Sequence, residues 1–215
     1  MKIKLDLSIF LFLLLFYITN QIGLYLLIMG FAFVHEFAHM ICGILLGFKP
    51  NILKIIPLGF VIEFKPNLEE YNIKILKANR LAIKEILIAL AGPISNLIII
   101  ILSMNFNFNI YIIYTNLLIF IFNLIPIYPL DGGRVLNSIF KLLLGNIKAI
   151  KYTYKTSNTL IIVLTILSSI YIYLFKNIAI LIIIIVLWII VEKENKRYNT
   201  YKKIYKIIDK NYNYL

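Results

Sequence analysis

The chain has a single cysteine, Cys42, so no intrachain disulfide can form and cysteine usage leaves the redox compartment unread. It has only two histidines, and both lie in VHEFAHMIC, Val34 to Cys42. Formal charge is missing from long tracts: between Ile86 and Leu130 there is none. From Leu7 to Phe48 the only ionisable side chains besides tyrosines and Cys42 are His35, Glu36 and His39. The start, MKIKLDLSIFLFLLLFYITN, has basic residues and an apolar run but no small-residue cleavage site. The apolar pattern resumes after Asn20 and Gln21, which argues against a removable signal peptide.

What the chain has in abundance is apolar surface. Of its 215 residues 61% are hydrophobic, and the mean hydropathy is +0.90. A bilayer core of about 30 Å needs roughly 20 apolar residues in a helix, and the apolar runs predict an all-α polytopic membrane protein. Six transmembrane helices are expected near residues 6–19, 22–46, 83–104, 110–127, 157–175 and 177–192. The first and last are short and would need tilt or local thinning. The Asn-rich MNFNFN, 104–109, is the natural break between the third and fourth.

The net charge of +12 follows the membrane rather than a nucleic acid, and no direct nucleic-acid binding is expected. All of the 22 Lys and Arg except Lys176 fall at the N-terminus, in the 47–85 and 131–155 connections, or after Val191. Basic residues of short loops stay cytosolic, so both termini and both long connections should face the cytosol. Residues 1–192 are expected to form the membrane core and 193–215 a basic tail on the cytosolic or membrane-surface side, where anionic lipid or a docked substrate would meet it.

Ionisable residues at membrane depth are costly and point to function. Residues four apart stack on one helical face about 6 Å apart along the axis. The imidazoles of His35 and His39 can therefore converge on one metal at roughly 2.0–2.1 Å. Glu36, rotated about 100° from His35, can reach an attacking water without ligating the metal. Two imidazoles, an oxygen ligand and one open position suit catalytic zinc. The competing reading is a pair of core histidines and a glutamate bonded across helices; the cost of unpaired polar groups in lipid weighs against it.

No third histidine exists to complete a site. Cys42 shares the face but lies roughly 7 Å along the axis from a metal bridging His35 and His39, and reads better as a small packed residue. Asp131, in NLIPIYPLDGGR at 123–134, is the better candidate. Pro126 and Pro129 break the preceding helix, Gly132 and Gly133 permit tight backbone, and broken backbone at membrane depth is tolerated where it lines a cavity. The alternative for Asp131 is an interfacial Asp-Gly-Gly turn.

Taken together, HEFAH at 35–39, AGPISN at 91–96 and NLIPIYPLDGGR at 123–134 resemble the site-2 protease family (peptidase M50) of intramembrane zinc metalloproteases. The order and spacing look most like its sporulation branch, which releases a mother-cell sigma factor from its pro-form. The resemblance implies His35, His39 and Asp131 as zinc ligands and Glu36 as catalytic acid/base. It implies that Asn96 and Asn123 position the reacting peptide; interhelical hydrogen bonding is the plain alternative for each. Implied partners are the lipid bilayer, a membrane-associated substrate such as a pro-sigma factor, and an inhibitory membrane partner. Ala38 stands where many relatives have glycine, keeping a small residue. The 47–82 connection is too short for the PDZ domain some relatives insert, and the tail too short for a CBS domain, so substrate choice is expected in the membrane core, its loops or a partner.

ILKIIPLGFVIEF, 52–64, reads as two β-rich runs around Pro57-Leu58-Gly59, a membrane-associated hairpin whose edge could accept a substrate strand or be a plain interfacial loop. LEEYNIKILKANRLAIKEIL, 68–87, reads as an amphipathic interfacial helix. Two other functions compete: a generic site-2-type protease acting on an anti-sigma factor or other membrane peptide, and a metal transporter or non-catalytic metal-binding membrane protein. In the last, Glu36→Gln would change little.

Overall fold

The computed structural model describes residues 2–57, 59–65, 75–175 and 179–212, which fall into two compact units, 1–124 and 125–215. Leu58, Lys176, the start of the expected amphipathic segment (68–74) and 213–215 lie outside the described residues.

The first unit opens with strand β1 (Lys2–Leu5) and the short helix α1 (Ser8–Ile18), followed by α2 (Ile22–Leu45), which carries HEFAH. Strands β2 (Pro50–Ile56) and β3 (Gly59–Phe64) come next, then α3 (Ile75–Asn105) and α4 (Ile110–Leu124). β2 and β3 pair antiparallel; β1 pairs parallel to the other side of β2, giving the order β1-β2-β3. β1 was not foreseen, because its four residues sit directly ahead of an apolar run that dominates any reading of the N-terminus. The sheet docks on α2 through aromatic contacts. The Phe64 ring fills the space that a side chain at Gly43 would take, Phe33 and Phe60 meet edge to face at 5.2 Å, and Tyr25 donates to Pro57 O at 2.9 Å.

Burial along α3 is inverted relative to a soluble helix: Asn96 is 0% and Ser103 1% exposed, whereas Ile98 is 50% and Ile101 51% exposed. Such an apolar exterior around a polar interior is the arrangement lipid demands. Three helical segments are long and apolar enough to cross a membrane, Ile22–Leu45, Asn79–Asn105 and Lys148–Leu174, among the described residues. α1, with 11 residues, spans only about 16 Å at a rise of ~1.5 Å per residue. It and α4 are shorter apolar helices. The 104–109 break is present: Asn107 takes a left-handed φ of 52°, which asparagine tolerates, and Asn109 Oδ1 accepts from Tyr111 N.

The second unit contains α5 (Asp131–Leu144), α6 (Asn146–Phe175) and α7 (Ala179–Tyr212). The expected 131–155 connection is largely helical, because α5 is strongly amphipathic and α6 begins directly after Gly145, whose φ of 79° ends α5. α7 runs unbroken from the apolar segment into the basic tail. It pairs with α6 through stacked Tyr154 and Tyr198 rings 4.3 Å apart, a reciprocal Asn158–Asn195 amide pair, and Trp188 Nε1 donating to Thr165 Oγ1. Ile127, Ile161, Leu187 and Val191 form this unit's core.

Candidate metal centre

His35 and His39 are both buried on α2, and each ring is held at Nδ1 by a partner on α3. His39 Nδ1 lies 2.6 Å from Ile88 O; a carbonyl only accepts, so Nδ1 carries the hydrogen. Pro93 supplies no amide for Ala89 O, and the carbonyl that receives His39 belongs to this same loosened turn. His35 Nδ1 bonds Asn96 Oδ1, again an acceptor, while Asn96 Nδ2 donates to Asn116 Oδ1 at 2.8 Å. In the neutral rings both Nε2 atoms then carry the lone pair, and they face each other at 3.1 Å.

Two nitrogen lone pairs aimed at one another repel unless a cation lies beside both. Such a pair could hold a cation, and the groups on its Nδ1 atoms are of the kind that orient ligating imidazoles. Gly92 supports the same conclusion. A Cβ at that position would come within 2.6 Å of His35 Nε2 and also strike His39 Nε2, so glycine keeps clear the space the lone pairs face.

Glu36, half-buried, is held from the other side. Its Oε1 accepts from Ile62 N of β3 at 2.6 Å. In the β2–β3 register Ile62 lies opposite Leu53, with its amide turned away from β2, so the outer edge of β3 carries the bond.

In the second unit Asp131 is buried and forms the first residue of α5. The Asp-Gly-Gly sequence is therefore a helix start and not a free turn. Gly133 has no room for a side chain: a Cβ would lie within 2.5 Å of Ile127 O and collide with Tyr128 N. The proline-bearing segment folds back tightly on this first turn, with Leu130 N donating to Ile127 O and Tyr128 N to Ser157 Oγ of α6. Arg134 Nη1 lies 3.4 Å from Asp131 Oδ1, and a carboxylate at a helix N-terminus is also favoured by the dipole.

Residues 103–167 match the family model for peptidase family M50. A zinc metalloprotease of Methanocaldococcus jannaschii is 30% identical over 152 residues, 66% of this chain; the chain spans 41% of that relative's length. The segment similar to peptidase family M50 includes Asp131 and the proline-bearing stretch before it. Among solved structures it shares its fold with the site-2 protease from Methanocaldococcus jannaschii, with a TM-score of 0.64 and 24% identity over 89% of each chain.

The sequence-derived candidates fare differently. His35 and His39 bring their Nε2 atoms to 3.1 Å of each other, and Glu36 is held by Ile62 N. Asn96 bonds the ring of His35 directly, so its carbonyl oxygen is committed to orienting a histidine. Asn123 donates to Ile119 O of its own helix at 3.0 Å. Cys42 is only partly buried, and burial raises the case for packing rather than ligation. Three contributors escaped the sequence: Gly92, one residue of the AGPISN motif; Ile88, whose part is played by its backbone; and Asn116, whose single signal was an amide in an apolar helix.

Proposed function

We propose that this chain is an intramembrane zinc endopeptidase of the site-2 type, hydrolysing a peptide bond of a membrane-associated protein on the cytosolic side. The observation that carries the reading is the pair of Nε2 atoms facing each other 3.1 Å apart, with a carboxylate at the residue after His35 held by a strand. By the resemblance of HEFAH and NLIPIYPLDGGR, His35, His39 and Asp131 would hold the zinc, a nitrogen-nitrogen-oxygen donor set with a position left for the reaction. Bound zinc would act as a Lewis acid on the scissile carbonyl and lower the pKa of the attacking water.

Glu36 takes one proton from that water as its oxygen bonds to the carbonyl carbon. The same carboxyl returns the proton to the amide nitrogen as the C–N bond breaks, and the second water proton passes from the new carboxyl group to the amine, leaving a carboxylate and an ammonium group. Asn123 assists in holding the extended peptide. A substrate strand adding along the outer edge of β3 would run beside α2 and compete for Ile62 N, so substrate arrival would exchange the Ile62–Glu36 bond and release the base. The segment order within 1–192 makes one membrane core with six crossings and cytosolic termini, and 193–215 its basic tail; the charge asymmetry supports this orientation.

The substrate class we favour is a pro-sigma factor processed during sporulation, released when an inhibitory membrane partner departs. What supports it is the likeness of HEFAH, AGPISN and NLIPIYPLDGGR, in that order, to stage IV sporulation protein FB. The test is co-expression with a membrane-associated pro-sigma factor and, separately, with an anti-sigma factor, read by immunoblot. Wild type should shorten the pro-sigma factor, 1,10-phenanthroline should stop this, and added zinc should restore it. Cleavage of the anti-sigma factor alone would replace the substrate class. Cleavage that persists under chelation would remove the zinc mechanism.

A further inference from the structure

Three buried polar side chains of the first unit, Asn116, Asn96 and His35, form one directed chain of donors and acceptors, and its far end lies on a residue remote from the reacting groups. Asn116 of α4 is 0% exposed, and its Nδ2 donates to Ile112 O at 2.9 Å. Because a backbone carbonyl only accepts, this bond fixes which way round the Asn116 amide lies. Its Oδ1 is thereby turned to α3, where it accepts from Asn96 Nδ2 at 2.8 Å. That bond fixes the Asn96 amide in turn, leaving Oδ1 against His35 Nδ1. One helical carbonyl, acting through two amides, thus sets the imidazole tautomer three groups away.

We propose that Asn116 is a positioning residue for the metal: acting through Asn96, it keeps His35 in the Nδ1–H tautomer and keeps Nε2 available as a ligand. The proposal rests on the zinc reading above. Without Asn116 Oδ1, the Asn96 amide can turn over and present its NH2 to His35 Nδ1. That arrangement stabilises the Nε2–H tautomer, whose Nε2 has no lone pair to offer a metal. His39 does not depend on this relay, because Ile88 O is already an unambiguous acceptor.

The test measures zinc affinity of the purified full chain in detergent, by competition with a chromophoric chelator, with helical content followed by circular dichroism. Asn116→Leu has nearly the same shape and no acceptor; zinc affinity should fall about 10–100-fold, as for other outer-shell partners. Asn116→Asp keeps an oxygen for Asn96 Nδ2 and should stay within about threefold of wild type. Asn158→Leu removes a comparable interhelical amide that has no histidine behind it and should leave affinity unchanged. If Asn116→Leu loses helical content, Asn116→Ala removes the same acceptor and carries the same prediction.

A merely structural role is separated by a double-mutant cycle. If Asn116 acts through Asn96, the Asn96→Leu/Asn116→Leu pair should bind zinc no more weakly than Asn96→Leu alone. Wild-type affinity in Asn116→Leu, or losses that multiply in the pair, would overturn the proposal. A wild-type chain that binds no zinc would instead overturn the metal reading, and the positioning role with it.

Discussion

His35 and His39 take their orientation from groups 61 and 49 residues further along the chain, whereas Asp131 takes its orientation from the turn it begins. The chemistry of the two ligand types explains the difference. An imidazole has two distinct nitrogens, only one of which can carry the proton while the other binds a metal, so a histidine ligand needs an external acceptor to choose its tautomer. A carboxylate has two equivalent oxygens and needs only to be aimed. Local backbone does this for Asp131: Leu130 N on Ile127 O, and Gly133 against the 127–128 peptide. The histidine side of the proposed centre should therefore be sensitive to changes on other helices, and the aspartate side to changes in its own segment.

The largest effect expected on the histidine side comes from the carboxylate there. Glu36→Gln should lower turnover roughly 10²–10⁴-fold, the usual contribution of a general base. Zinc content, measured on the same purified protein, should be unchanged. Retained cleavage would remove Glu36 from the chemistry, and lost zinc would make it a ligand instead. Next is Gly92→Ala on α3, whose Cβ enters the space in front of both Nε2 atoms. Zinc affinity should drop at least about 10–100-fold, since this change intrudes where outer-shell changes act only indirectly. A wild-type affinity measured by chelator competition would show that the space is not where the metal sits.

On the aspartate side, Gly133→Ala should destabilise the chain by about 1–3 kcal/mol through overpacking against Ile127 and Tyr128, seen as a lower unfolding midpoint in detergent. Smallest of all should be Arg134→Gln. Its guanidinium contact with Asp131 is long at 3.4 Å and its side chain is 37% exposed, so less than about 1 kcal/mol should be lost. A large loss of zinc in Arg134→Gln, with stability intact, would mean that Asp131 needs an outside partner as the histidines do, and the contrast between the two sides would fail.

Much of the centre was legible in the sequence because metal-ligand spacing is local. HEFAH on an apolar helix already implied two imidazoles on one face, and PLDGG already implied a chain break beside a carboxylate. Asn96 was expected to position the peptide or to bond between helices; a motif names a residue type but not what its amide faces, and only the position of α3 against α2 brings its oxygen to His35. β1 was missed for a related reason. Four residues have no period of their own to read, and they become a strand only because β2 offers a parallel edge. The long helices α6 and α7 differ from the expected spans at their polar ends, where hydropathy stops but the backbone hydrogen-bond ladder does not.

By itself the sequence determined the solvent this protein must live in, the i,i+4 convergence of two imidazoles and the place where a helix must stop, because apolar runs, helical spacing and proline all act within a few residues. The tertiary structure decided which imidazole nitrogen is left to bind a metal, which glycine clears the space before it, and which strand holds the neighbouring carboxylate. Those depend on single donors and acceptors brought together from distant parts of the chain, and hydrogen-bond direction is a property of the pair, not of either residue alone.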